Sequence, residues 1–239
     1  MLKNNVLIFD FDGTIHDSMY IYAPAVRACQ KEYAEKGLLP DREVTDAEIR
    51  GYLGLTAQQM WNAFAPHLTK EQHEAGSQYI YQEMQRLARA GQARLYDGAV
   101  SMLQDLKAKG YYLVFLSNCS EAYMKLHQEV FGLDRIFHEM HCAGQFDWED
   151  KPQIVRRLIP AWTKNVNIIS IGDRYTDMAI RQAAHPPDAV SAGKTVIKTV
   201  FCTYGFGTPE EGKGADALAH SAGQIPEAIN SCKLPFDGI

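Results

Sequence analysis

Apolar residues in this chain gather in short unbroken runs, each ending in a cluster of polar and turn-forming residues. Residues 6–9 (VLIF) run into DFDGT, 112–116 (YLVFL) into Ser117-Asn118, and 166–171 (VNIISI) into Gly172-Asp173; a fourth run, 195–201, precedes Thr203-Tyr204-Gly205. Runs this short, apolar without alternation, predict strands buried on both faces that end in loops. Helical spacing lies between them over 100–109, stopped by Gly110, and over 122–131, 151–158 and 177–184. Strands alternating with helices predict a Rossmann-like α/β domain, a parallel sheet covered by helices on both faces. In such sheets the active groups collect at the carboxyl ends of the strands, where the polar clusters fall.

The stretch 18–93 breaks this alternation. It reads as helix only, with segments over 22–36, 46–52, 57–65 and 70–90, and contains no convincing strand. The economical interpretation is a small all-helical cap domain (18–93) inserted after the first strand of a core made of 1–17 and 94–239. The expected hinges are 15–19 and 91–98. No internal repeat or low-complexity segment interrupts either part.

Composition narrows the function classes. With 239 residues, 46% of them hydrophobic and 22% charged, the chain can bury a full core and a smaller inserted unit. A formal charge of -5 offers no broad basic surface for nucleic acid. No apolar run approaches the roughly 20 residues needed to span a bilayer, and the start MLKNNVLIFDFDG runs straight into a strand, so a cytoplasmic protein is expected. Cys29, Cys119, Cys142, Cys202 and Cys232 include no CxxC pair, so neither a disulfide framework nor a zinc site is suggested.

The candidate chemistry is carboxylate chemistry. Asp10 and Asp12 flank Phe11 at the end of the first strand and are followed by Gly13-Thr14; two acids so close invite a cation or a shared proton. A second pair, Asp173 and Asp177 in GDRYTD, falls at another strand end, so both pairs can converge on one hard cation such as Mg2+. Phosphoryl transfer needs an in-line nucleophile, neutralised phosphate oxygens and a proton donor for the leaving group. Asp10 can attack, and Asp12 can protonate the leaving oxygen and later activate water. Ser117, Asn118 and Lys151 would hold the phosphate oxygens.

These residues carry a family resemblance. DFDGT at 10–14, Leu116-Ser117-Asn118, Lys151-Pro152 and GDRYTD at 172–177 resemble, in order, the four motifs of the haloacid dehalogenase superfamily. The resemblance implies Asp10 as nucleophile and metal ligand, and Asp12 as acid/base with its backbone carbonyl on the metal. It further implies Ser117 and Lys151 as phosphate holders and Asp173 with Asp177 as metal-site acids. Dehalogenases that use no metal lack the second Asp, and phosphonate-cleaving relatives carry Ala there, so Asp12 leaves phosphate monoesters. The helical insertion and the stretches 98–117 and 203–207 (TYGFG) resemble the phosphoglycolate phosphatase and β-phosphoglucomutase branch. His16, where relatives carry an apolar residue, and a long 185–194 segment depart from it.

Several of these residues also have plainer readings. Asp177 alone could be a helix cap, Ser117 or Asn118 could cap the helix that follows, and a lysine before proline is usually solvated. His16 and His141 read as hydrogen-bonded structural residues, and Cys119 as a packed thiol. In the helical stretch Met60, Trp61 and Phe64 read as core, while Arg50 and Gln58 are candidates for contacting the leaving group. The expectation is a Mg2+-dependent phosphatase, monomer or homodimer, acting on a small phosphorylated metabolite through an aspartyl-phosphate. A sugar phosphomutase, an inorganic pyrophosphatase and a non-catalytic binding module are the alternatives.

Overall fold

A computed structural model describes residues 5–162, 166–184 and 195–234; the long 185–194 segment lies outside them. The chain forms two compact units, one made of Met1–Asp17 with Leu95–Ile239, the other of Ser18–Arg94.

The first unit is built on six parallel strands: β1 (Asn5–Phe9), β2 (Tyr112–Ser117), β3 (Glu139–Cys142), β4 (Val166–Gly172), β5 (Thr195–Cys202) and β6 (Ala217–Ala219), in the spatial order β3-β2-β1-β4-β5-β6. The four strands expected from apolar runs are all present. They are apolar because each has strands on either side and helices above and below. β3 and β6 escape such a reading: each is an edge strand, short and only partly buried, so neither EMHC nor ALA forms an apolar run.

Register sets where the strands deliver their ends. Phe9 lies beside Phe115 of β2 and Ile171 of β4, so the chain leaves all three central strands at one level. β1 sits where the strand order reverses, the crevice that open parallel sheets use for ligands. One face of the sheet packs Val6, Ile8, Val114, Leu116 and Ile168 against Ile154, Val155, Ile180 and Ala183. On the other face Phe9 and Phe115 meet Phe137 edge-on.

The helical unit contains α1 (Met19–Glu35), α2 (Asp46–Arg50), α3 (Ala57–Phe64) and α4 (Lys70–Arg89). Thr45, Thr56 and Thr69 cap the last three, with capping boxes completed by Gln59 and Gln72. Trp61 is its central side chain, stacked on Tyr33 and His73 with its indole N–H bonded to Ser77. In the α/β unit follow α5 (Ala99–Ala108), α6 (Glu121–Phe131), α7 (Lys151–Leu158), α8 (Tyr175–Met178) and α9 (Ile225–Ser231). Among the described residues no helix is long and apolar enough to cross a membrane.

Where the chain leaves and re-enters the α/β unit, the Tyr96 N–H bonds the Ile15 carbonyl at 2.9 Å and His16 pairs with Leu95 in an antiparallel bridge.

Candidate active site

Asp10 continues β1 by one residue, its N–H bonding the Ile171 carbonyl at 2.9 Å, and then the chain turns sharply. Thr14, Ile15 and His16 all direct their N–H groups at the Phe11 carbonyl, and Gly13 stands at φ 81°. Two demands meet at Gly13. The left-handed turn favours glycine, and a Cβ there would lie 2.3 Å from the Asp173 carboxylate. The closeness of the first and fourth motifs is therefore written into a missing side chain.

The same economy operates at Gly172, where a Cβ would meet Asp177 at 2.1 Å. The Asp177 carboxylate accepts the Arg174 N–H, so α8 starts at Tyr175, two residues before the expected helix start. It then tightens into 3-10 turns over Ala179–Ala184. Helix capping and site membership coexist in this one side chain.

Asp10, Asp173 and Asp177 are buried and bring carboxylate oxygens within 4.8 Å of one another. Lys151, from the first turn of α7, donates to Asp10 Oδ1 at 2.7 Å and to Asp177 Oδ1 at 2.6 Å. It is 2% exposed, which overturns the solvated reading of a lysine before proline. Burial opposes its charge, but Asp10 and Asp177 outweigh burial and hold the ammonium above its ordinary pKa. One cation cannot neutralise three carboxylates. Burial first, then Asp177, pushes Asp10 well up despite Lys151 and raises Asp173 to about 7. A trio of hard oxygen donors destabilised by its own repulsion fits a hard divalent cation.

Asp173 has a further support that sequence reasoning missed. Its Oδ2 accepts the backbone N–H groups of Phe206 at 2.6 Å and Gly207 at 3.3 Å, and the Tyr204 hydroxyl bonds the Thr14 carbonyl at 2.7 Å. The TYGFG segment laces the first motif to the fourth. Backbone donors leave no side-chain signal, but the paired glycines do: a Cβ on Gly205 would lie 2.4 Å from both the Asp173 Cβ and the Gly13 carbonyl oxygen.

Asp12 is not among the clustered trio. Its Oδ1 accepts from His16 Nδ1 at 2.8 Å and from the Tyr123 hydroxyl at 2.9 Å. Burial works to raise its pKa, but the bond and charge of His16, with His127 and Tyr123 behind them, prevail and hold it below the usual carboxylate range. His127 donates from Nδ1 to the Tyr123 carbonyl at 2.9 Å; burial, then the neighbouring His16, pushes it down to about 4, so it is neutral near pH 7.

Ser117 closes β2 and is buried. Neither it nor Asn118 caps the next helix; Ser120 does, accepting the Tyr123 N–H at 3.3 Å. Cys119 is a free thiol, and the neighbouring Cys142 thiol together with burial raises its pKa, the opposite of what a helix start alone would do. His141 pairs with Glu139 at 3.1 Å, away from the trio's own bonds. Arg50 ends α2, and Gln58 donates to Asn62 at 2.9 Å along α3, both in the helical unit.

Comparison with known proteins places the chain in a family. A curated phosphoglycolate phosphatase of Agrobacterium fabrum is 30% identical over 200 residues, covering 81% of this chain and 83% of that protein. The structure of a predicted phosphoglycolate phosphatase from Haemophilus somnus 129PT superposes with a TM-score of 0.74 at 19% identity, covering 95% and 98% of the two chains. A putative β-phosphoglucomutase from Thermotoga maritima gives 0.68 at 16%, covering 96% and 100%. These two share the fold. The family model for haloacid dehalogenase-like hydrolases matches residues 7–186, from the first strand past the fourth motif, and the chain belongs to that family.

Proposed function

We propose that the protein is a phosphatase hydrolysing a small phosphomonoester, with Asp10 as nucleophile. The observation that carries this reading is the position of the Asp10 carboxylate. It stands at the switch point of the sheet, paired with a buried ammonium, and is followed two residues later by a second carboxylate held by its own donors. Asp10 attacks phosphorus as the bond to the leaving oxygen breaks, and Asp12 gives that oxygen a proton. In the second half, Asp12 takes a proton from water as the water oxygen attacks the aspartyl-phosphate, freeing Asp10 and inorganic phosphate. Lys151 and Ser117 hold the transferred phosphoryl oxygens. Asp10, Asp173 and Asp177, with the Asp12 carbonyl, would hold Mg2+, which when bound supplies positive charge against the phosphate.

The similarity to the Agrobacterium phosphoglycolate phosphatase supports hydrolysis, and 2-phosphoglycolate leads the substrates to try. The experiment is a screen of phosphorylated metabolites with Mg2+, reading released phosphate for the wild type and Asp10→Asn. Turnover by the wild type and none by the variant is expected; normal phosphate release by Asp10→Asn would overturn the nucleophile assignment. Conversion of a sugar 1-phosphate to its 6-phosphate without net phosphate release would replace hydrolysis by mutase chemistry.

A further inference from the structure

Around Asp12 the α/β unit buries a cluster of rings whose composition packing alone does not explain. His16 and His127 are both fully buried, stacked among Phe11 and Phe131 with their centroids 4.8 Å apart. Neither Nε2 has a hydrogen-bond partner among the described residues. A buried polar atom without a partner is destabilising. An apolar side chain at position 16 would fill the same space without that penalty. What His16 adds over such a residue is its Nδ1–H, aimed at Asp12 Oδ1 at 2.8 Å.

The second donor comes from a distant part of the chain. α6 starts directly behind the second motif and carries Tyr123 and His127 one turn apart. His127 bonds back to the Tyr123 carbonyl and packs against the Tyr123 ring, with centroids 4.2 Å apart. Tyr123 thereby directs its hydroxyl onto the same Oδ1 at 2.9 Å. The loop that presents Asp12 is closed from its other side by the Gly13 N–H on the His16 carbonyl, so His16 fixes the loop's backbone and its carboxylate together.

Two N–H or O–H donors on one carboxylate oxygen use its lone pairs and disfavour a proton there. Any proton that Asp12 carries must then sit on Oδ2. The geometry points to His16 and Tyr123 as positioning residues that clamp Oδ1 of Asp12 and reserve Oδ2 for proton exchange with the leaving group. This rests on Asp12 being the acid of the proposed phosphatase reaction, and it adds the residues that aim it. Neither His16 nor Tyr123 touches substrate in this scheme.

The test uses the full-length protein with Mg2+ and two aryl esters of nearly equal shape, 4-nitrophenyl phosphate, whose leaving group departs without a proton, and phenyl phosphate, whose leaving group needs one. kcat/KM reports the step in which the leaving group departs. Tyr123→Phe and His16→Leu are expected to lower kcat/KM for phenyl phosphate about tenfold more than for 4-nitrophenyl phosphate, a part of the 10²–10⁴ that general acid catalysis supplies. His16→Asn, whose amide can donate from nearly the position of Nδ1, is expected to restore much of the difference. Thermal unfolding of each variant separates this from loss of fold; should His16→Leu fail to fold, Tyr123→Phe and His16→Asn carry the decision. Asp12→Ala is the reference. If it shows no leaving-group selectivity, the acid role of Asp12 falls and the inference falls with it. If it does, while Tyr123→Phe and the folded His16 variants affect both esters equally or not at all, only the clamp is wrong.

Discussion

Removing divalent cations and replacing Asp173 gives a direct measure of the repulsion built into the carboxylate trio. Asp173 is 0% exposed, and its carboxyl is raised from 3.8 to about 7 by burial and then by Asp177. A raised carboxyl pKa means that the folded chain binds more protons than the unfolded chain between those values. Metal-free stability therefore declines as pH rises through that window, and the loss is complete above about 7. The full span corresponds to about 4 kcal/mol, of which about 2–3 kcal/mol should be lost between about pH 5 and about pH 7.5. The burial of this group leaves little solvent screening to reduce the figure. Asp10, raised well above the usual range with Asp173 among its causes, acts in the same direction.

The assay is urea unfolding in EDTA at the two pH values for wild type and Asp173→Asn, whose amide oxygen can still accept from Phe206 and Gly207. Subtracting the variant's pH dependence removes the contribution of other titrating groups, and the wild type should show the excess decline. Mg2+ at about a hundred times its Kd should return about 2.7 kcal/mol to the wild type and much less to the variant. A wild-type advantage over Asp173→Asn that is unchanged, or larger, at the higher pH in EDTA would refute the reasoning.

Two other substitutions test the close approaches that glycine permits. Gly76→Ala in α4 places a Cβ 2.3 Å from Cζ2 of the buried Trp61, so the overpacking loss of about 1–3 kcal/mol should exceed the helix gain of about 1 kcal/mol; a raised melting temperature would contradict this. Gly205→Ala pushes against Asp173 and the Gly13 carbonyl at once and should lower kcat/KM for 4-nitrophenyl phosphate at least about tenfold while the protein stays folded. Wild-type rates in that variant would show that the TYGFG lacing has no bearing on turnover.

What could be seen in the residues alone follows from burial and from chain distance. β1, β2 and β4 each have a strand on either side and so are mostly apolar, while β3 and β6, with a single neighbour each, carry too few apolar residues to stand out. The clustered acids are visible because each follows a buried strand at fixed spacing. The burial of Lys151 is not: its neighbours in sequence are unremarkable, and its partners lie 141 and 26 residues away. His16 is likewise opaque, since the tyrosine sharing its target is fixed by α6, 111 residues from Asp12. The backbone donors on Asp173 are hidden for a different reason, because an N–H is common to every residue but proline and only the crowding at Gly205 and Gly207 betrays them.

The pairing of His16 with Leu95 has an architectural consequence. The chain departs after Asp17 and resumes beside its own point of departure, at the separation of adjacent strands, about 5 Å. An inserted polypeptide therefore needs neighbouring ends to join this doorway to the ladder behind it. The excursion through residues 18–94 thus hangs from the α/β unit by two neighbouring strands of chain, and strain in it reaches the sheet first through that bridge.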